Sequence, residues 1–228
     1  MDIAVFQTGP LGVNSYIVPL TEQQVFIVDP AACRATHDQT VLTDWLTARQ
    51  KQPCGILLTH GHFDHITGIA EIRNAYPNCP IAIHKDDIAS LDPNSPESAA
   101  AMVSYFGFPE LHAIIAALPQ ADIVIDRQPT LREVFQTTDP AAQDALARWK
   151  IIHTPGHSRG SICLYSAADN ALISGDTVFF HSYGRTDLPG GNDADMMRSL
   201  VHIKTALPSG TIVYPGHDHF GFTIAQGM

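Results

Sequence analysis

The chain has 228 residues, a formal net charge of -10, and is 45% hydrophobic and 16% charged. That length and balance allow a sizeable core in one large domain or two small ones, with no need for a disulfide scaffold. The acidic charge, with no run of about five or more like charges, argues against a nucleic-acid or anionic-membrane partner, and no stretch approaches the ~18 apolar residues of a membrane helix.

Short β-type runs broken by Gly, Asn and Pro occupy the N-terminal third: residues 3–9 (IAVFQTG), 15–20 (SYIVPL) and 24–30 (QVFIVDP). A helix is predicted over about 38–51, with Val41, Leu42, Trp45 and Leu46 on one face. A buried strand follows at 54–60 (CGILLTH), then a helix at 66–77 stopped by Pro77, and a strand at 79–84 (CPIAIH). Residues 86–120 combine a Ser/Asp/Pro cluster with apolar residues at helical spacing. They read as a helical insertion that covers the core, with a lid or a homo-oligomer contact as alternatives. Strands resume at 121–126, 149–156, 161–166 and 170–176; a helix over 193–206 and a strand over 210–217 complete the pattern. Interspersed strands and helices with hairpin-like neighbours predict mixed sheets covered by helices in a single domain, 1–228.

Cys33, Cys54, Cys79 and Cys163 are widely spaced with no C-x-x-C pair, which predicts reduced, buried thiols of an intracellular protein. The first residues, MDIAVFQTGP, lack a basic region followed by a long apolar run, so a cytoplasmic location without a signal peptide is expected.

The chemistry concentrates in THGHFDH, residues 59–65. His60 and His62, two apart after a strand, can converge on one ion; Asp64 and His65, opening the next helix, can face another. One tetrahedral zinc needs only three or four ligands. More candidates follow other strands: His157 in HTPGHSRGS, Asp176 in ISGDTVF and His217 in VYPGHDH. A strand-to-turn position puts each at a sheet edge, where all could gather. His37, His84, His112, His153, His181 and His202 read as ordinary surface or core histidines, and a lone Asp in SGDT would read as a turn or helix cap. The ordered set is too specific for coincidence.

This set resembles the metallo-β-lactamase superfamily, whose hallmark is His-x-His-x-Asp-His. Within it the chain is similar to the glyoxalase II-like hydrolases: NSYIV, Asp29, TPGHS, SGDTVF, GRTDLPGG and YPGHD all fit. The resemblance covers nearly the whole chain, interrupted mainly at 86–120. It implies an α/β (α+β) fold, a four-layer αββα sandwich, with a binuclear centre at one sheet edge. His60, His62 and His157 would hold one metal, Asp64, His65 and His217 the other, and Asp176 would bridge them; His219 competes with His217. Two divalent ions are implied, zinc first, with iron or manganese as alternatives. Such a pair can lower the pKa of a shared water and stabilise a tetrahedral oxyanion; Asp64 and Asp176 are the expected catalytic carboxylates, and no protein nucleophile is required. The loop after Asp176 would border the substrate, with Tyr183 and Arg185 as contacts.

One departure stands out. Eleven residues follow His217, none of them Lys or Arg, so the C-terminal helical domain that gives glyoxalase II its basic contacts to glutathione is not expected. The function implied is hydrolysis of a small-molecule thioester by a metal-bound hydroxide. A mononuclear iron persulfide dioxygenase and a lactonase are the alternatives; a β-lactamase, a nuclease and a non-catalytic metal-binding module fit less well.

Overall fold

A computed structural model describes residues 2–228. β1 (Ala4–Thr8), β2 (Val13–Pro19) and β3 (Gln24–Val28) form an antiparallel meander. Helix α1 (Val41–Ala48) carries the chain over to β4 (Gln52–Leu57), parallel to β3. Helices α2 (Phe63–Ile66) and α3 (Ile69–Ala75) then lead to β5 (Ile81–His84), parallel to β4. After α4 (Ala99–Phe106) and α5 (His112–Ala116), β6 (Ile123–Ile125) closes a six-stranded sheet in simple chain order.

The second sheet starts after α6 (Pro140–Leu146). β7 (Trp149–His153), β8 (Ile162–Ser166) and β9 (Ala171–Gly175) are antiparallel. Helix α7 (Asp193–Ala206) crosses over to β10 (Ile212–Pro215), parallel to β9, and β11 (Phe222–Thr223) with α8 (Ile224–Gly227) ends the chain. The order is β11-β10-β9-β8-β7.

The two-residue period of a strand explains the layering. In β3, Val25 and Ile27 face one way, into a core with Leu42 and Leu46 of α1 and Ile69 and Ile72 of α3. Phe26 and Val28 face the other way, against Leu164 and Ile173 of the second sheet. Phe26 meets Trp149 edge to face, ring centroids 5.5 Å apart, in the middle of this inter-sheet core. Beyond the second sheet, Tyr165, Leu172 and Val213 pack with Ile203 of α7 and Ile224 of α8. Both faces of each sheet are thus covered, which is why the central strands read as continuous apolar runs. The four layers run helix, sheet, sheet, helix, as expected.

Several details differ from the sequence-based expectation. The helix expected over 66–77 is broken at Thr67–Gly68. Thr67 Oγ1 donates to Ala31 O and Gly68 N to Pro30 O, and a Cβ on Gly68 would lie 2.8 Å from both Pro30 O and Ala32 O; the turn after β3 packs into the gap. Helix α6 was not foreseen, although Asp139 caps it and Pro140 opens it. Residues 86–120 do form a helical cover: Val103, Leu111 and Ile115 join the first core cluster. Among the described residues, no helix is long and apolar enough to cross a membrane.

All four thiols are buried and free. Burial pushes Cys54 and Cys79 up to about 12 and Cys163 up to about 11, so the reactive thiolate is scarce at neutral pH. An aromatic disulfide reagent should leave the native protein essentially unlabelled and titrate all four cysteines after denaturation. Fast labelling of the native chain would contradict this packing.

Candidate metal centre

The candidate side chains leave the ends of five strands where the two sheets meet. Thr59–His65 follow β4, and Asp29 ends β3. Thr154–His157 follow β7, Asp176 follows β9, and Gly216–His217 follow β10. Backbone bonds join these turns: Ile162 N donates to Thr59 O at 2.9 Å, Asn14 N to Gly216 O at 2.7 Å and Gly216 N to Gly175 O at 2.8 Å.

His60, His62 and His157 bring one ring nitrogen each within 4.8 Å of one another, and Asp64, His65 and His217 do the same with their donor atoms. Asp176 lies between the two groups. Its Oδ2 is 3.3 Å from His157 Nε2 and 3.6 Å from His217 Nε2, and its Oδ1 is 3.4 Å from His65 Nε2. Asp64 Oδ2 lies 3.3 Å from His217 Nε2 and 3.6 Å from His65 Nε2. Donors held about 2.0–2.1 Å from a tetrahedral ion are roughly 3.3–3.4 Å apart, so these separations suit a shared cation.

Satisfaction of polar atoms points the same way. His60 Nε2, His157 Nε2 and Asp176 Oδ1 are buried without a hydrogen-bond partner. A buried orphan costs about 1–3 kcal/mol, and three within the two donor groups and the carboxylate between them are explained if cations complete them. The residues present therefore fit a pair of divalent ions.

The opposite nitrogens of three of the imidazoles are held. His60 Nδ1 is 3.0 Å from Thr59 Oγ1, His65 Nδ1 is 3.0 Å from Asp29 Oδ2, and His157 Nδ1 is 2.7 Å from Arg185 O. Each ring thus turns Nε2 inward, the kind of outer bracing that fixes ligand orientation. Asp29 also accepts from Thr59 N at 2.7 Å and from Thr59 Oγ1 at 2.6 Å, and does so at φ 47°, a left-handed conformation that Asp tolerates better than most residues. Gly216 is required by close approach, because a Cβ there would sit 2.1 Å from Asp176 Oδ1.

Asp87 gave no signal in the sequence. It is buried and accepts from Gly61 N at 3.0 Å, Gly160 N at 2.6 Å and Ser158 Oγ at 2.6 Å. One carboxylate therefore ties the His60–His62 turn to the turn that carries His157. It lies within the 86–120 segment, whose composition suggested only a helical cover.

Burial keeps His60 and His62 neutral. His62 is pushed down to about 3 by burial and by neighbouring His157, and His60 is lowered by burial, with His65 and His62 adding. Neutral imidazole is the ligating form. At Asp176 and Asp64 burial opposes ionisation, yet the neighbouring imidazoles, His65 foremost, outweigh it and hold both carboxyls below the usual carboxylate range. His65 is raised despite its burial, because Asp176, Asp64 and Asp29 surround it.

Of the expected contacts, Arg185 borders a cavity of about 430 Å³ in front of these groups, walled by Leu11, Phe63, Met102, Phe106, Phe179 and Leu188. Tyr183 does not line it. Its ring opens onto a separate hollow with Met197 and Val201 beside α7, because the turn that places Gly184 against Asp176 and His157 sends the preceding side chain away. His219 packs against Phe180, at 5.0 Å between centroids, outside both donor groups. His84 and His153 come near Asp86, but their rings stack 4.3 Å apart at 17°; parallel rings send their in-plane lone pairs along parallel lines, not to one point.

Two sheets that deliver buried His and Asp donors to one edge define a metal-binding αββα protein. The chain belongs to the metallo-beta-lactamase superfamily, whose family model matches residues 8–217. It is 31% identical over 209 residues to the probable metallo-hydrolase YqgX of Bacillus subtilis, covering 92% of this chain and 86% of that protein. It is 31% identical to a hydroxyacylglutathione hydrolase of Shewanella baltica, covering 90% of this chain but 62% of that longer protein. Among solved structures it is similar to the BLEG-1 B3 metallo-beta-lactamase (29% identity, TM-score 0.78, 99% and 95% of the two chains) and to TTHA1623 in a di-iron-bound form (27%, 0.75, 98% and 96%).

Asp87→Ala and Asp29→Ala should each weaken divalent-metal binding by about 10–100-fold in a competition titration against a chromophoric chelator. Asp87→Ala loosens the His60–His62–His157 side, and Asp29→Ala the His65 side. Wild-type affinity in either variant would remove that carboxylate from the bracing role.

Proposed function

We propose that the chain is a binuclear metal-dependent hydrolase that cleaves a small-molecule thioester, in the manner of glyoxalase II. The observation that carries this reading is that both donor groups are complete and share Asp176 at the floor of one cavity. An intact second group, Asp64, His65 and His217, favours hydrolysis over the one-iron dioxygenase alternative. The resemblance to a metallo-hydrolase and to a hydroxyacylglutathione hydrolase supports the same class.

His60, His62, His157, Asp64, His65 and His217 would hold the two ions, with Asp176 between them, and zinc, iron and manganese all suit a His/carboxylate set. When bound, the pair supplies Lewis acidity and a more acidic water. The chain's own residues do the rest. Asp64, ionised and facing His65 and His217, accepts a proton at its carboxylate. Leu11, Phe63, Phe106 and Phe179 line the cavity and limit water around the scissile bond. Arg185 is held by Asp187 through two bonds of 2.7 and 2.8 Å, and its guanidinium lies 5.9 Å from the Phe106 ring centre, so it forms wall as much as charge. No cysteine lines the cavity, in keeping with a reaction that needs no protein nucleophile.

The test is a side-by-side assay of metal-loaded protein with a thioester and with a persulfide under an oxygen electrode. Thioester turnover without oxygen uptake is expected, and Asp64→Asn, which retains one donor oxygen, should lower kcat by about 10²–10⁴-fold, with bound metal counted in the same sample to separate proton transfer from loss of an ion. Persulfide-dependent oxygen uptake with no thioester cleavage would overturn the assignment.

A further inference from the structure

A second space of about 560 Å³ adjoins the metal cavity. Met102 and Phe106 of α4 and Leu188 of the facing loop line both spaces, so the two adjoin at those side chains. Ala101 and Tyr105, one residue before each on the same helix, line the second space, as do Pro96 and Pro189. Tyr105 leaves 79% of its surface in solvent beside Phe106, the ring centroids 5.2 Å apart, and is free to pack on a ligand in the groove.

Charge sharpens the picture. Glu97 and Asp187, the two carboxylates on the groove, are already paired, Glu97 with Arg159 at 3.0 Å and Asp187 with Arg185 at 2.7 Å. Among the described residues lining the groove and the metal cavity, Arg185 is the only Lys or Arg, and Asp187 already engages one edge of it through Nε and Nη2. A carrier rich in carboxylates or phosphates finds a single cation there, its charge already balanced by Asp187. A neutral apolar chain finds Met102, Tyr105, Phe106 and Leu188.

We propose that the groove between α4 and residues 187–189 is a substrate subsite for an uncharged apolar arm, an alkyl or aryl substituent reaching out from the scissile bond. This rests on the hydrolase reading above and narrows its substrate to hydrophobic thioesters on neutral carriers. The arm can belong to the acyl group or to the thiol, and the two are separable by experiment.

The metal-loaded full chain is assayed with two series of N-acetylcysteamine-type neutral thioesters. One lengthens the acyl chain from acetyl to octanoyl, and the other lengthens the thiol chain over the same range. In one series kcat/KM should rise by roughly two- to fourfold per methylene, as expected for burial of about 0.8 kcal/mol each when complete. Ala101→Trp, an exposed wall position outside the metal cavity, should flatten that rise and leave the acetyl substrate within about twofold of wild type. The lactoyl thioester of glutathione should be no better than its neutral counterpart.

Binding of non-hydrolysable S-alkyl thioethers, followed by calorimetry, reads the groove whatever the reaction. The octyl compound should bind at least about tenfold tighter than the ethyl compound, and Ala101→Trp should erase the difference; Tyr105→Ala, a second variant, should reduce it. Flat series in turnover and in thioether binding, or a preference of more than about tenfold for the glutathione thioester, would overturn the subsite. Absence of any thioester turnover alongside chain-length-dependent thioether binding would sink the hydrolase reading and keep the groove.

Discussion

Asp176 is the point on which the architecture converges. Its carboxylate stands within 3.3–3.6 Å of imidazoles from both donor groups, and each of those groups draws residues from both sheets. His60, His62, Asp64 and His65 hang from the first sheet, and His157, Asp176 and His217 from the second. The centre can form only if the sheets are locked at fixed separation and register. The inter-sheet core built on Phe26, Trp149, Leu164 and Ile173 provides that lock, so packing far from the chemistry sets distances within it.

Burying so many ionisable groups together is unfavourable unless each has a partner. The chain supplies partners on the outside of the cluster and leaves the inside open. Thr59, Asp29 and the Arg185 carbonyl engage the outward nitrogens, and Asp87 links the two turns that approach from opposite sheets. What stays unsatisfied lies inside, at His60, His157 and Asp176. The same pattern that would be a defect in a structural core is a receptacle for positive charge here.

Much of this was legible in the residues themselves. Each donor follows an apolar strand and sits in a Gly-marked turn, so THGHFDH, TPGHS, SGD and YPGHD pointed to one sheet edge, and His217 over His219 could be read from its Pro-Gly turn. The layers followed from strands such as QVFIV, apolar on both faces. Asp87 was not legible because its role depends on three partners distant in sequence, at Gly61, Ser158 and Gly160. Tyr183 was misjudged as a contact because proximity along the chain to Asp176 and Arg185 does not say which way a turn directs a side chain. The break at Thr67–Gly68 depends on a tertiary contact with the turn after β3, which no local helix propensity encodes.

Family membership fixes the scaffold and leaves the substrate to the walls around the centre. Those walls are apolar, and the one arginine among them is already engaged by Asp187. The proposed chemistry nevertheless depends on a pair of ions held behind them. Native mass spectrometry of the purified, metal-reconstituted chain measures this most directly: two divalent ions per chain for the wild type is the predicted result, with loss of at least one in Asp176→Ala, whereas a single ion at saturation in the wild type would contradict it.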